Sequence, residues 1–222
     1  MSMQFVDKCL SEDAIYTIEN MVKHHISGNY KDVRNTILGY DSKNDKWESE
    51  YGEYLAKRYK YDIDPPITSH QTCGVKKISD IKNKKVDTFT KNNGMTFYED
   101  DVYEYIRIYT DESIKRVLEV LFTLSKNVIE YRDIVDIIIT EWNVNNIKDL
   151  SIDRPYMDHG ICGDLHYYKL EVRKNSWADL KKITRYRGLN IRNTFKDAVI
   201  IFLESRSDIL KENIPNSKMV VP

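Results

Sequence analysis

The sequence has little cysteine and almost no net charge, and both features limit what the protein can be. Its three cysteines, Cys9, Cys73 and Cys162, are too few and too scattered for the disulfide framework of a small secreted protein. Its 34 basic and 35 acidic residues leave a formal charge of −1, which argues against wholesale binding to nucleic acid or to a membrane surface. We therefore expect a cytoplasmic protein, or one of the nucleus or host cytoplasm if its source is viral.

Targeting and membrane signals are missing as well. The first residues lack the basic start and apolar core of a signal peptide. No apolar run approaches the roughly 20 residues that a membrane-spanning helix requires. The chain also has no phosphate-binding glycine loop, nucleophile elbow or H-E-x-x-H pattern. It is rich instead in lysine, asparagine and isoleucine and has sixteen tyrosines, a composition that suggests an AT-rich virus, phage or bacterium.

The first third of the chain is predicted to be helical. Ser11 is placed as an N-cap, apolar residues then recur at helical spacing, and Gly28 stands just past the helix end. Further helical patterns follow up to Pro65, where proline ends the last one. Residues 1–64 thus form an N-terminal helical region. Residues 65–95 form a lysine-rich connector, which is the predicted domain boundary.

Residues 96–214 are predicted to form an α+β domain with a mixed β-sheet flanked by helices, followed by a tail at 215–222. Two strand–helix–strand units are expected, with strands at 101–109, 133–142, 166–174 and 197–205. Ser176 is predicted to cap the second helix. At an offset of 63 positions Tyr105 matches Tyr168 and Ser113 matches Ser176, which reflects either a duplication or similar patterning alone.

Acidic and basic residues around the third predicted strand form the first chemical constellation. Carboxylates at the ends of neighbouring strands hold a divalent ion in metal-dependent phosphodiester cleavage, and a nearby cation steadies the developing charge. An acid at Asp158 or Asp164, then Glu171, then Arg173 and Lys174 before a helix resembles the core of the PD-(D/E)XK nuclease superfamily. A lysine is expected where Arg173 stands.

The resemblance implies a set of roles for these residues. Asp158 or Asp164 with Glu171 would hold Mg²⁺ or Mn²⁺, and Glu171, Arg173 and Lys174 would be catalytic. Two other interpretations stay open. The charges belong to an exposed strand whose residues alternate outward, or residues 157–172 form a helix, in which case the nuclease hypothesis fails.

Two further groups of residues suggest binding. His70 with Cys73 and His159 with Cys162 offer four ligands for an alternative, structural zinc site. A basic, aromatic segment contains three arginines suited to nucleic-acid binding, namely Arg185, Arg187 and Arg192.

The leading expectation is a protein that acts on nucleic acid through a metal-dependent, nuclease-like centre, either intact or degenerate. One alternative is a non-enzymatic protein-interaction module, of viral or other origin, whose tyrosine-rich surface binds a protein partner. Another is a ferredoxin-like nucleic-acid-binding domain. No membrane partner is expected.

Overall fold

The computed structural model of the chain describes residues 10–59, 89–90, 96–97, 103–126, 128–148 and 164–213. Its first part contains α1 (Glu12–Ile26), α2 (Tyr30–Leu38), β1 (Tyr40–Asp41), β2 (Lys46–Trp47) and α3 (Glu50–Tyr59). Ser11 caps α1 as predicted, because its Oγ accepts a hydrogen bond from the Ala14 amide at 3.2 Å. Gly39 ends α2 in the left-handed conformation, at φ 77°. The predicted helical character of this region is confirmed, except that Trp47 lies in a short strand.

The larger part of the described chain repeats a strand–helix–helix unit. The first unit consists of β5 (Tyr103–Asp111), α4 (Glu112–Ser125) and α5 (Tyr131–Lys148). The second consists of β6 (Leu165–Arg173), α6 (Lys174–Tyr186) and α7 (Ile191–Asn213). Strands β5 and β6 pair antiparallel over nine residues, with Arg107 opposite Lys169 at the centre. Strands β3 (Phe89–Thr90) and β4 (Thr96–Phe97) pair antiparallel in a separate two-stranded sheet. The predicted α+β class is confirmed.

The predicted strands at 133–142 and 197–205 are wrong, and with them the mixed sheet and the strand–helix–strand units. Both segments belong to helices, α5 and α7. Residues 133–140 are all buried, because α3, α4, α6, α7 and β6 all pack around α5. A helix enclosed on all sides is apolar all round, so its sequence shows the same continuous apolar run as a buried strand.

The structure does contain two similar units, but equivalent strand positions are 62 residues apart rather than the predicted 63. Tyr105 and Tyr167, rather than Tyr168, occupy the third position of their strands. A shift of one residue moves a strand side chain to the opposite face. Tyr167 is exposed, whereas Tyr168 faces α4, where its hydroxyl bonds to Glu119.

The predicted cap at Ser176 is also wrong. Helix α6 begins two residues earlier, directly after Arg173, so that Ser176 lies inside its first turn and is 5% exposed. Its carbonyl accepts a hydrogen bond from Nδ2 of Asn143 at 2.8 Å, and its hydroxyl bonds to that of Thr140 at 3.3 Å. Ser176 therefore joins α6 to α5 rather than starting a helix.

One hydrophobic core contains residues from α1–α3 and from both repeated units. Helix α1 packs on α7 and α4, and α3 packs on α5. Arg206 of α7 is 2% exposed and donates to the carboxylate of Glu141 on α5 and to the carbonyl of Ile37 on α2. Helices α4, α5, α6 and α7 contact the β5–β6 ribbon, and the face of the ribbon that carries its exposed side chains is the candidate site.

Candidate functional site

The outward face of the β5–β6 ribbon carries most of the exposed aromatic surface of the described chain. Alternation along the strands places Ile106, Ile108, Leu170 and Val172 in the core. The opposite face carries Tyr105, Arg107 and Tyr109 of β5 together with Leu165, Tyr167 and Lys169 of β6. Seven large hydrophobic side chains are exposed among the described residues, and four of them are on this face. The exposed apolar residues are therefore concentrated on this face rather than scattered singly over the surface.

The cations of this face lie against its tyrosine rings. The Lys169 ammonium is 4.3 Å from the ring centroid of Tyr105, and the Arg107 guanidinium is 6.0 Å from that of Tyr167. Tyr167 also meets Tyr109 edge-on, with their centroids 5.7 Å apart. Cation–π contacts at exposed positions are worth about 0.5–1 kcal/mol each and favour these side-chain positions.

Helix α5 borders one end of this face. The hydroxyl of Tyr131, the first residue of α5, donates to the carboxylate of Glu171 at 3.1 Å. Arg132 lies over the ring of Tyr103, 4.7 Å from its centroid. The only strand carboxylate on the open part of the face is therefore already engaged, and the remaining charges there are positive.

A buried group of charges lies beneath that end of the ribbon. Arg173, the last residue of β6, is 1% exposed, and its Nε donates to Oδ2 of Asp136 on α5 at 2.9 Å. Its backbone amide donates to the other oxygen of the same carboxylate at 3.0 Å. Asp133, one turn earlier on α5, is fully buried as well, and its Oδ1 is 3.5 Å from the Tyr103 hydroxyl. This group therefore contains two carboxylates and one guanidinium.

Burial controls the protonation of the two carboxylates. It raises the pKa of Asp136 to about 7, although the charge and hydrogen bonds of Arg173 lower it. It raises the pKa of Asp133 to about 6, again against the charge of Arg173. Among the described residues Oδ2 of Asp133 has no hydrogen-bond partner, so a proton can reside there.

The structure separates the predicted metal ligands Asp164 and Glu171. Asp164 is exposed just before β6, while Glu171 is the seventh residue of that strand. Six strand steps between Leu165 and Glu171 correspond to about 20 Å, so Asp164 and Glu171 cannot hold one ion. The pair of Asp158 with Glu171 stays a prediction, because Asp158 lies outside the described residues. Among the residues described, no three His, Cys, Asp or Glu side chains form a group that could hold a metal.

The other predicted catalytic residues lie in different environments. Arg173 is held in the buried ion pair with Asp136, whereas Lys174 is exposed at the first position of α6. The predicted zinc ligands all lie outside the described residues, namely His70, Cys73, His159 and Cys162. The zinc site therefore stays a prediction.

The three predicted nucleic-acid contacts lie around the end of α6 and the start of α7. Arg187 donates to Oδ1 of Asn146 at 2.7 Å and also to its carbonyl at 3.1 Å, so it serves to join α6 to α5. Arg192 is half-buried in the first turn of α7. Arg185 is exposed and, with Lys181 and Lys182, lines a shallow concavity of about 440 Å³ on α6. Of the three arginines, Arg185 is the one fully open to a partner.

Sequence reasoning missed the residues that the ribbon brings together. The predicted strands at 101–109 and 166–174 lie close to β5 and β6, but no residue of β5 was among the predicted site residues. The available signal was the alternation of Tyr105, Arg107 and Tyr109 with isoleucines, and the matching alternation in β6. What the sequence did not contain was the pairing of the two strands, which sets Tyr109 beside Tyr167.

Comparisons with protein families, curated proteins and solved structures find no match to this chain. In the part of the chain that the structure describes, no helix is both long enough and apolar enough to span a membrane.

Proposed function

We propose that this protein binds double-stranded DNA by placing the outward face of the β5–β6 ribbon in the major groove. The observation that carries the proposal is the open face itself: a two-stranded antiparallel ribbon on which Arg107 and Lys169 stand at the centre among exposed tyrosines. The proposal keeps the expected nucleic-acid partner and does not depend on a metal.

The dimensions of the ribbon suit this groove. The major groove of B-form DNA is about 12 Å wide and accepts a two-stranded β-ribbon. Two paired strands are about 4.8 Å apart, and nine residues extend about 30 Å. The major groove of an RNA duplex is too deep and narrow for side chains to read, so the geometry favours DNA over duplex RNA.

The chemistry of the face suits DNA as well. Arginine and lysine donate to guanine O6 and N7, which lie at the floor of the major groove. Tyrosine hydroxyls are ordinary donors to phosphate oxygens. The face offers two cations, and its single carboxylate, Glu171, is bonded to Tyr131. This charge complements a polyanion better than it complements a basic or neutral protein surface.

The proposal is tested by fluorescence anisotropy with a labelled 30-base-pair duplex and its single strands at several salt concentrations. We expect duplex binding that weakens as salt rises. Replacing Arg107 and Lys169 together by alanine removes two contacts worth about 1–3 kcal/mol each and lowers duplex affinity at least tenfold. Lys57→Ala, on α3, removes an exposed cation that is not part of the ribbon and leaves the affinity unchanged.

Three outcomes would overturn the proposal. These are no duplex binding by the wild-type protein, tighter binding to the single strands than to the duplex, and equal losses in the ribbon variant and in Lys57→Ala. The same reactions with Mn²⁺ added test the cleavage predicted from Asp158 and Glu171. Cleavage that Glu171→Ala abolishes is the result which that prediction requires.

A further inference from the structure

The two strand–helix–helix units are related by an approximate two-fold axis through the centre of the ribbon. Nine cross-strand pairs join β5 to β6, and the fifth of them is Arg107 with Lys169. An antiparallel ladder has a local two-fold axis through such a pair. Equivalent positions on the two strands are 62 residues apart, which relates Tyr105 to Tyr167 and Tyr109 to Glu171.

The axis extends from the ribbon into the helices. The last residue of each strand forms a buried ion pair with the second helix of the other unit. Asp111 of β5 pairs with Lys196 of α7, whose Nζ is 2.6 Å from Oδ2 of Asp111. Arg173 of β6 pairs with Asp136 of α5. Asp136 and Lys196 each stand at the sixth position of their helices, so the two pairs are equivalent with their charges exchanged.

The outward face accordingly consists of two similar halves. In each half a tyrosine of one strand lies beneath the cation of the other, Tyr105 beneath Lys169 and Tyr167 beneath Arg107. The two cations occupy equivalent places, but their chemistry differs. Arginine presents a rigid fork that binds guanine through two hydrogen bonds, whereas lysine is a single mobile charge.

We infer that the DNA site is an imperfect inverted repeat whose two half-sites meet at its centre, with guanine fixed in the half that Arg107 contacts. This rests on the proposed function. The symmetry of a DNA site mirrors that of the protein that reads it. Arg107 and Lys169 are directly cross-strand, so their β-carbons are about 5 Å apart, and both reach base pairs within about two steps of the centre, given a rise of about 3.4 Å per step. The half-sites therefore leave no spacer between them.

The inference is tested by selecting bound duplexes from a library with a random 20-base-pair core and sequencing them. The wild-type protein is expected to select an inverted repeat with guanine near the centre of one half. Changing that guanine to adenine lowers affinity about tenfold. Lys169→Arg is expected to select guanine in both halves, and Arg107→Lys to lose the preference in its own half. Tyr186→Ala, which removes an exposed tyrosine of α6, leaves the selected sequence unchanged.

The possible failures are distinguishable. If no duplex is enriched and none binds in solution, the proposed function itself is wrong. If duplexes bind but the enriched sequences have no central inverted repeat, only the inference about the half-sites is wrong. The inference is also overturned if Lys169→Arg leaves the second half of the selected sequence as it was.

Discussion

Arg173, which the sequence predicts to be catalytic, also takes part in a buried ion pair with Asp136. Its guanidinium pairs with the buried carboxylate of Asp136, its charge lowers the pKa of buried Asp133, and it lies 5.1 Å from the Tyr103 ring centroid. The sequence identified its position in β6 but could not reveal Asp136, which lies 37 residues away. Contacts between distant residues depend on how the elements pack, and local patterns do not contain that information.

Removing the guanidinium is expected to destabilise the protein strongly. Arg173→Met leaves Asp136 buried without its cation, which costs about 3–5 kcal/mol of unfolding free energy. Arg185→Met, at an exposed position of α6, changes that free energy by less than about 0.5 kcal/mol. Urea denaturation followed by circular dichroism measures both. A loss for Arg173→Met no larger than that of the control contradicts the structural role.

The raised pKa of Asp133 predicts how stability depends on pH. Because its pKa is about 6 when folded and 3.8 when exposed, the folded state binds the proton that the unfolded state releases between these values. Its contribution therefore makes the unfolding free energy fall as the pH rises from about 4 to about 7. The two pKa values correspond to about 3 kcal/mol over this range.

The variant Asp133→Asn isolates this contribution. Its unfolding free energy is expected to fall less steeply between pH 4 and 7, so that it gains stability relative to the wild type as the pH rises. Asp208→Asn, which removes a carboxylate that is 84% exposed, keeps the wild-type slope. Equal slopes for the wild type and Asp133→Asn would refute the assignment.

At the scale of elements, the sequence predicted β5, β6, α4 and α6 but mistook the two most buried helices for strands. The correct elements have one buried face each, so that the period of their apolar residues is visible. Helices α5 and α7 have isoleucine and valine on several sides, as in the run Ile137, Ile138 and Ile139. Their helical form follows from the elements that enclose them, and a single segment does not show those neighbours.

The two buried ion pairs have their acidic and basic partners exchanged between the units. This explains why the first unit pairs with the second rather than with a copy of itself. Two copies of the first unit would bring Asp111 against Asp136, and two copies of the second would bring Arg173 against Lys196. Either arrangement buries like charges, which is costly in a low-dielectric interior. The charges therefore favour the observed pairing of the first unit with the second.

A charge-reversal cycle tests this pairing. Asp111→Lys and Lys196→Asp are each expected to cost about 3–5 kcal/mol, because each leaves two like charges buried together. The double variant restores the opposite charges and regains part of the loss, although not the cap that Asp111 provides to α4. Differential scanning calorimetry of the four proteins gives the coupling energy. A double variant that loses the sum of the two single losses contradicts the account.

At the scale of the whole molecule, the α+β class and the strands of the candidate site could be predicted, but the site could not. Tyr105 and Lys169 are 64 positions apart and meet only through the antiparallel register of the ribbon. The near-zero net charge of the chain also does not show where its positive and negative charges lie on the surface. Glu171 is bonded to Tyr131, and the cations of the ribbon remain on its open face.

The most direct test of the central claim observes the tyrosine rings of the ribbon while DNA binds. In protein with ¹³C-labelled tyrosine, titration with a duplex is expected to shift the ring resonances of Tyr105, Tyr109 and Tyr167, assigned by Tyr→Phe variants. The resonances of buried Tyr51 are expected to remain unchanged. Duplex binding that leaves the three ribbon tyrosines unshifted, while tyrosines elsewhere respond, would contradict the proposed interface.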